Sequence, residues 1–431
     1  MKKYRRSAAI FILFLFVFIA GCARAPLITK KGAEPPVRKK IEKPLAAPKD
    51  KTAEAQPSII GPPSGVASRG NVGCIFPLTG RFGNAGRRAL DAALLSSKIF
   101  KQRSSSSWEI VSADSGGSSE KMREAVSHLA DDVNVIAIVA MSGTSEASVI
   151  AEEAQRRKVP LILITSKEGV TETGEYVFQH FLTATQQMDA LMRYVHNKLN
   201  IGVFSVLYPQ DDYGLEMVNL FRNKVKSMGG KIHQAVSYRK TDTDFSAQIR
   251  KLTGNRIDSQ QQDNSAAETT SGRSTVDFEA LFIPDSHQRV KMITSQLAYY
   301  NVRGVQLLGA SLWHSPDLIK SGVEFFEGAV FVDSFFVNGY LPETNDFVDV
   351  YYAEYGREPG NIDALVYDTM DIVLQILDKH KIKTRDEFLE ALLDVRGFRG
   401  ATGIVSFNGN RVAQKDAFIL MVQNGKIVQV K

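Results

Sequence analysis

The stretch VIAIVAMSGTSEASVIAEEAQRRKVPLILIT, Val135 to Thr165, decides the fold. It opens on a continuously apolar run, passes through a short polar loop, carries an amphipathic segment from about Ser145 to Arg157, and closes on a second apolar run. A strand apolar on both sides belongs in a sheet covered above and below. A helix between two such strands makes them parallel.

The pattern repeats in both directions. NVGCIFPL precedes a helical stretch from about Gly83 to Phe100, and WEIVSAD precedes another near Ser118 to Asp131. Downstream, IGVFSVLY leads into a helix from Gly214 to Met228 closed by Gly229 and Gly230, followed by KIHQAVSY, a helix from Phe245 to Leu252, and FEALFIP. The tail adds VQLLG, GAVFVDSFF and helices near Asn345 to Tyr355, Ile362 to His380 and Arg385 to Val395. It ends on FILMVQ, joined by Asn424-Gly425 to KIVQVK as a hairpin with a type I′ turn. The expected fold class is α/β, two-lobed, each lobe a doubly wound, mostly parallel sheet, with a cleft between them. About 360 residues exceed one ordinary core, which supports two lobes in 71–431. The first is expected to take roughly 71–190 and 290–330, the second 200–285 and 330–431. Residues 254–276, rich in Ser, Gln, Asn and Thr, read as a disordered surface insertion.

Ahead of the globular part, Lys2, Lys3, Arg5 and Arg6 precede an apolar run from Ala8 to Ala20, which falls short of the roughly 20 residues a spanning helix needs. This reads as a signal peptide over 1–21. Ile19, Ala20, Gly21 and Cys22 resemble a bacterial lipobox, which implies that Cys22 is lipidated and becomes the first mature residue. Two or three acyl chains there anchor firmly where one holds only marginally. Ala23, with no Asp after the cysteine, points to the inner leaflet of the outer membrane in a Gram-negative cell. Residues 22–70 hold eight of the fifteen prolines and almost no aromatic residue, a composition that reads as a disordered tether.

The formal charge of +6 is local. Residues 1–21 carry four basic groups and no acid, and 23–70 carry ten against four, which leaves 39 basic against 43 acidic from Asn71 onward. A nucleic-acid partner is therefore not expected; basic residues beside an anchored cysteine suit anionic headgroups. Cys74, the second cysteine, sits in an apolar strand and reads as a core residue. The glycines at 80, 83 and 86 do not make a dinucleotide fingerprint, the seven histidines show no metal-binding spacing, and no acid, base and nucleophile come together. Neither cofactor, metal nor enzymatic activity is expected.

In an open α/β sheet, loops and helix N-termini converge at the carboxyl ends of the strands, where unpaired N–H groups favour an anion. Ser142, Gly143 and Thr144 follow the first run of the opening stretch; they hold an anionic group, or Thr144 or Ser145 is simply the helix N-cap. Thr165 and Ser166 follow the second run. Thr79, Arg81 and Phe82 follow NVGCIFPL, Tyr213 follows IGVFSVLY, and Asp285 follows FEALFI.

FPLTGRFGNAGRRALDAALL, AEEAQRRKVPLILITS, PQDDYGLEMVNLFRNKVKSMGGKI, DFSAQIRKL, ALVYDTMDIVLQIL and FRGATGIVSFNGNRV together, in this order, resemble the branched-chain amino-acid (leucine) binding proteins of the type I periplasmic-binding-protein fold. The resemblance implies a periplasmic receptor for a small polar, amino-acid-like solute, working with an ABC permease. In it, Thr165 and Ser166 contact the ligand carboxylate and Tyr213 reaches over the ligand from the second lobe. The family's usual acidic residue after VQLLG is absent, since the chain reads ASLWHSP with Ser311 and Trp313; either Asp285, Asp211 or Asp212 takes over that role towards an ammonium group, or the ligand is not a standard amino acid, or there is none. FIPDSHQRVKMITSQLAYYNVRGVQLLG also resembles lipoprotein activators of penicillin-binding proteins, which implies as the alternative a protein–protein role in peptidoglycan synthesis.

Overall fold

A computed structural model describes residues 71–103, 108–254 and 276–430, all within one compact unit. The signal peptide, Cys22, the tether and the insertion apart from Gly254 and Val276 lie outside the described residues.

The first sheet contains β1 (Val72–Phe76), β2 (Ile110–Asp114), β3 (Ala137–Met141), β4 (Leu161–Ile164) and β5 (Val177–Gln179). They run in the order β2-β1-β3-β4-β5, all parallel. Helices α1 (Gly83–Arg103), α2 (Ser119–Ser127) and α3 (Ala147–Arg156) connect them. β1, β3 and β4 are buried along their whole length, as their unbroken apolar sequence requires. Cys74 is fully buried in β1, and burial pushes its thiol far up, so it is a core residue as expected.

The second sheet has seven strands: β6 (Val203–Pro209), β7 (Lys231–Tyr238), β8 (Ala280–Phe282), β9 (Gln306–Leu308), β10 (Val330–Asp333), β14 (Phe418–Gln423) and β15 (Lys426–Val430). Their order is β15-β14-β10-β9-β8-β6-β7; β6 to β10 pair in parallel and the last two strands antiparallel. Asn424 and Gly425 both take positive φ (51° and 71°), as a type I′ turn needs. Helices α4 (Ala184–Tyr194), α5 (Asp212–Ser227), α6 (Ser246–Thr253) and α7 (His287–Tyr299) cover it. The α/β fold with mostly parallel sheets is thus as the sequence indicates.

The assignment of segments to lobes is corrected. Residues 290–330 build α7, β9 and the start of β10 in the second lobe, because β8, β9 and β10 hydrogen-bond in succession. Helices α8 (Pro342–Tyr355), α9 (Asn361–His380) and α10 (Arg385–Leu393) pack on the first sheet, and the small antiparallel sheet β11 (Phe398–Gly400), β12 (Gly403–Ser406) and β13 (Gln414–Lys415) joins them there. The core that α9 shares with α1 explains this: Leu365, Val366, Met370, Val373 and Leu377 are buried against Ala89, Ala92 and Ala93. Each such large apolar side chain contributes about 1.5–3 kcal/mol. Arg88 of α1 pairs with Asp363 of α9, which is almost fully buried. The chain therefore crosses between lobes three times: after Gln179, after Asp333 and after Lys415.

Candidate functional site

Each sheet has one point where the strand order reverses, between β1 and β3 in the first and between β6 and β8 in the second. The loops leaving these strands carry most of the expected site residues.

In the first lobe, Asp114 at the end of β2 organises the loop after β1. Its carboxylate accepts the N–H groups of Leu78 (2.7 Å), Thr79 (3.2 Å) and Gly116 (2.8 Å) and the Thr79 hydroxyl. Burial opposes its charge, but these bonds outweigh burial and hold the carboxyl below its ordinary value. The one proton of the Thr79 hydroxyl is committed to this brace. Gly86 lets α1 lie against the loop, since a Cβ there would sit 2.0 Å from Pro77 O. Arg81 is exposed, with its guanidinium 5.3 Å from the centre of the Phe82 ring.

The loop after β3 is less committed. Ser142 donates its N–H to Ile164 O (3.2 Å), while its hydroxyl is buried and has no partner among the described residues. Gly143 and Thr144 are exposed. Neither Thr144 nor Ser145 is the N-cap of α3: that position belongs to Glu146, which makes no side-chain capping bond. The Glu146 carboxylate instead lies over Gly143, where a Cβ would come within 2.7 Å of Oε2. The anion at this helix N-terminus is therefore the chain's own. Thr165 is buried; its hydroxyl accepts from Lys167 N (3.3 Å) and its carbonyl from Gln179 Nε2 (2.8 Å), so it shapes the loop, and its neighbour Ser166 is exposed.

In the second lobe, Asp211 caps α5 by accepting from Gly214 N (2.6 Å) and pairs with Lys240 (2.7 Å). Gly214 is required, because a Cβ there would lie 2.2 Å from Pro209 O. This turn fixes Tyr213, whose phenol is pushed up by burial and then by the charges of Asp285, Glu216 and Asp211. Asp285 accepts from Tyr238 Oη (2.6 Å) and from Ser286 N (2.6 Å). Tyr213 and Asp285 are thus electrostatic neighbours. Trp313, which follows β9, is fully buried, donates to Ile283 O (2.9 Å) and packs against Gly309.

Two acidic residues between the lobes' elements escaped sequence reading. Glu168, in the loop after β4, accepts from the N–H (3.0 Å) and hydroxyl (3.3 Å) of Thr185 at the start of α4, tying one lobe to the other. Glu216 of α5 has its carboxyl raised, by burial and then by Glu168. The polar run Thr165-Ser166-Lys167-Glu168 ending in Gly169 was the available signal for Glu168. A cavity of about 390 Å³ between α7 and the loop into β9 contains none of the expected residues.

The solved structures share this architecture. A leucine binding protein, LivK, from Thermotoga maritima is 23% identical, with TM-score 0.61 over 84% of this chain and 98% of its own. The branched-chain amino acid transporter substrate binding protein LivJ from Streptococcus pneumoniae, in complex with isoleucine, is 21% identical, with TM-score 0.62 over 84% and 99%. A putative branched-chain amino acid ABC transporter protein from Rhodospirillum rubrum is 19% identical, with TM-score 0.73 over 84% and 99%. No curated protein matches in sequence. The family model described as periplasmic binding protein matches residues 71–426, nearly all of the globular part, and the chain belongs to that family.

Proposed function

We propose that the chain is a solute-binding receptor, not an enzyme, that takes a small amino-acid-like molecule between its lobes and presents it to an ABC permease. The observation that carries this is the pairing of chemistries at the two reversal points. The first lobe offers the unpartnered Ser142 hydroxyl with the exposed Gly143, Thr144 and Ser166, which suit a carboxylate; the second offers Tyr213 and Asp285, which suit an ammonium group. Thr79 and Thr165 hold the loops in shape, and Arg81 stands at the rim. Lobe closure around the solute shifts an open and closed equilibrium by the difference in affinity for the two forms. Cys22 is read as the lipid attachment point in the periplasm, on the outer membrane's inner leaflet; Cys22→Ser is expected to move the protein from the membrane to the soluble fraction. Thermal-shift measurements with the twenty amino acids and with small carboxylates test the receptor reading: a rise with one or a few amino acids supports it, and none with any of them refutes it.

One observation favours the second reading, a docking partner of a penicillin-binding protein. Thr79, Thr165 and Asp285 already have partners within their own lobes, and Glu146 covers part of the anion site. On that reading no solute shifts the melting transition, and a penicillin-binding protein is recovered by cross-linking.

A further inference from the structure

Each of the three crossings carries an ionisable side chain where it leaves its lobe: His180 on the first, Asp333 on the second and Lys415 on the third. Lys415 Nζ lies 3.4 Å from His180 Nε2, and Asp333 is near enough to act on the ammonium electrostatically. The hydroxyls fix the protons. Thr369 donates its O–H to Leu365 O (2.6 Å), so at 2.7 Å it accepts from His180 Nδ1–H. Neutral His180 then presents Nε2 as acceptor to Lys415. Thr402 Oγ1 accepts from Lys415 (2.7 Å) and donates to Asp368 (2.6 Å), which also accepts the N–H groups of Ala401 and Thr402, both at 2.8 Å. Leu365, Thr369 and Asp368 all stand on α9, so the bonds close a ring from that helix through the first and third crossings and back.

The second crossing is tied to the same helix. Asp333 accepts from the His314 ring of its own lobe (2.5 Å) and from the side-chain amide of Asn361, the first residue of α9; Ser334 Oγ donates to Asn361 Oδ1 (2.7 Å). Only Asp416 and Ala417 separate Lys415 from Phe418, where β14 begins. Gly400 makes room for the ring, because a Cβ there would lie 2.5 Å from the Asp368 carboxylate.

We propose that Lys415 is the hinge pin: a positioning residue whose ammonium, joined to His180 on the first crossing and held on the third, fixes the axis about which the lobes turn. A buried charge resists separation from its partners, so the crossings cannot slide past one another and bending concentrates in the two residues after Lys415. The pin sets the spread of open and closed forms that a solute meets. The proposal rests on the reading that the lobes turn, and not on the identity of any ligand.

The test is the interlobe distance distribution of the ligand-free full chain in a Cys22→Ser background, with spin labels at Glu152→Cys in the first lobe and Lys226→Cys in the second, both exposed positions. Buried Cys74 escapes the label. Lys415→Met alone leaves Asp368 unpaired, so the informative variant is Lys415→Met with Asp368→Asn, which removes both charges. It is expected to keep native circular dichroism and to widen the distribution at least twofold. Asp333→Asn, which weakens the pin from the second crossing without entering the ring, is expected to widen it less. Wild-type width in both variants overturns the proposal. A wild type that answers to no solute refutes the receptor reading and leaves this measurement legible.

Discussion

Lys415→Met and Asp368→Asn are expected to be strongly non-additive in stability. Asp368 is fully buried and Lys415 nearly so. Burial pushes Asp368 up to about 6 from 3.8, against the pull of Thr402 and Lys415. Burial lowers Lys415 to about 8 from 10.5, against the pull of Asp368 and Asp333. The two charges are hydrated in the unfolded chain, so the folded state bears the desolvation. As pH rises from 3.8 to 6 the unfolded carboxyl loses its proton first, and stability falls by roughly 3 kcal/mol. As pH falls from 10.5 to 8 the unfolded lysine gains its proton first, and stability again falls by roughly 3 kcal/mol. The pair thus carves a trough between pH 6 and 8. His180, held well below its usual range by burial and then by Lys415, adds a loss of stability as pH drops below 6.5. Burial is the larger cause, so most of this loss is common to wild type and double variant. Denaturant unfolding followed by circular dichroism from pH 4 to 10 gives the cycle. At pH 7 the single Lys415→Met variant is expected to lose about 3–5 kcal/mol, and the double variant to equal wild type or exceed it by up to about 4 kcal/mol. The trough should vanish from the double variant's profile. Losses that simply add, or a trough that survives in the double variant, would mean that the two buried charges do not set this profile.

Gly214→Ala drives a methyl group against Pro209 O, 2.2 Å from the position of its Cβ, so the α5 turn has to move. A loss of about 1–3 kcal/mol is expected in denaturant unfolding, with Tyr213 displaced from the cleft. Glu146→Gln removes the carboxylate that lies over Gly143. For any amino acid found by thermal shift, calorimetry should then show affinity rising several-fold, because the ligand carboxylate no longer competes with a charge of the chain.

Local chemistry was legible in the sequence, and long-range docking was not. The strands β1, β3, β4, β6 and β8 announced themselves because a parallel strand buried on both sides has to be apolar throughout. The hairpin at Asn424-Gly425 was equally plain, since its two positive φ angles are settled within the turn itself. β5, three residues from Val177 to Gln179, stood in no apolar run of its own and was not apparent. Helix α9 displayed its apolar stripe, but a stripe says only that a helix needs cover. What placed it on the first sheet was α1, whose Arg88 meets Asp363 across 275 positions of sequence. The candidate site divides the same way. The strand-end residues were found from their position, whereas the commitment of Asp285 to Tyr238, 47 residues earlier, and of Thr79 to Asp114 emerges only when the sheets assemble.

That division bears on how a solute is recognised. Thr79, Thr165 and Asp285 are held by their own lobes before any ligand arrives, so the cleft does not have to reorganise to receive one. What remains uncommitted is divided between the lobes, and neither half alone surrounds a molecule. Affinity therefore has to come from closure. On the receptor reading, closure brings Glu168 and Glu216 closer, and the Glu216 carboxyl is already raised by burial and then by Glu168. A ligand bearing a positive group relieves that opposition and a plain carboxylate does not. In the thermal-shift series, amino acids should accordingly outrank the small carboxylates that share only their anionic end.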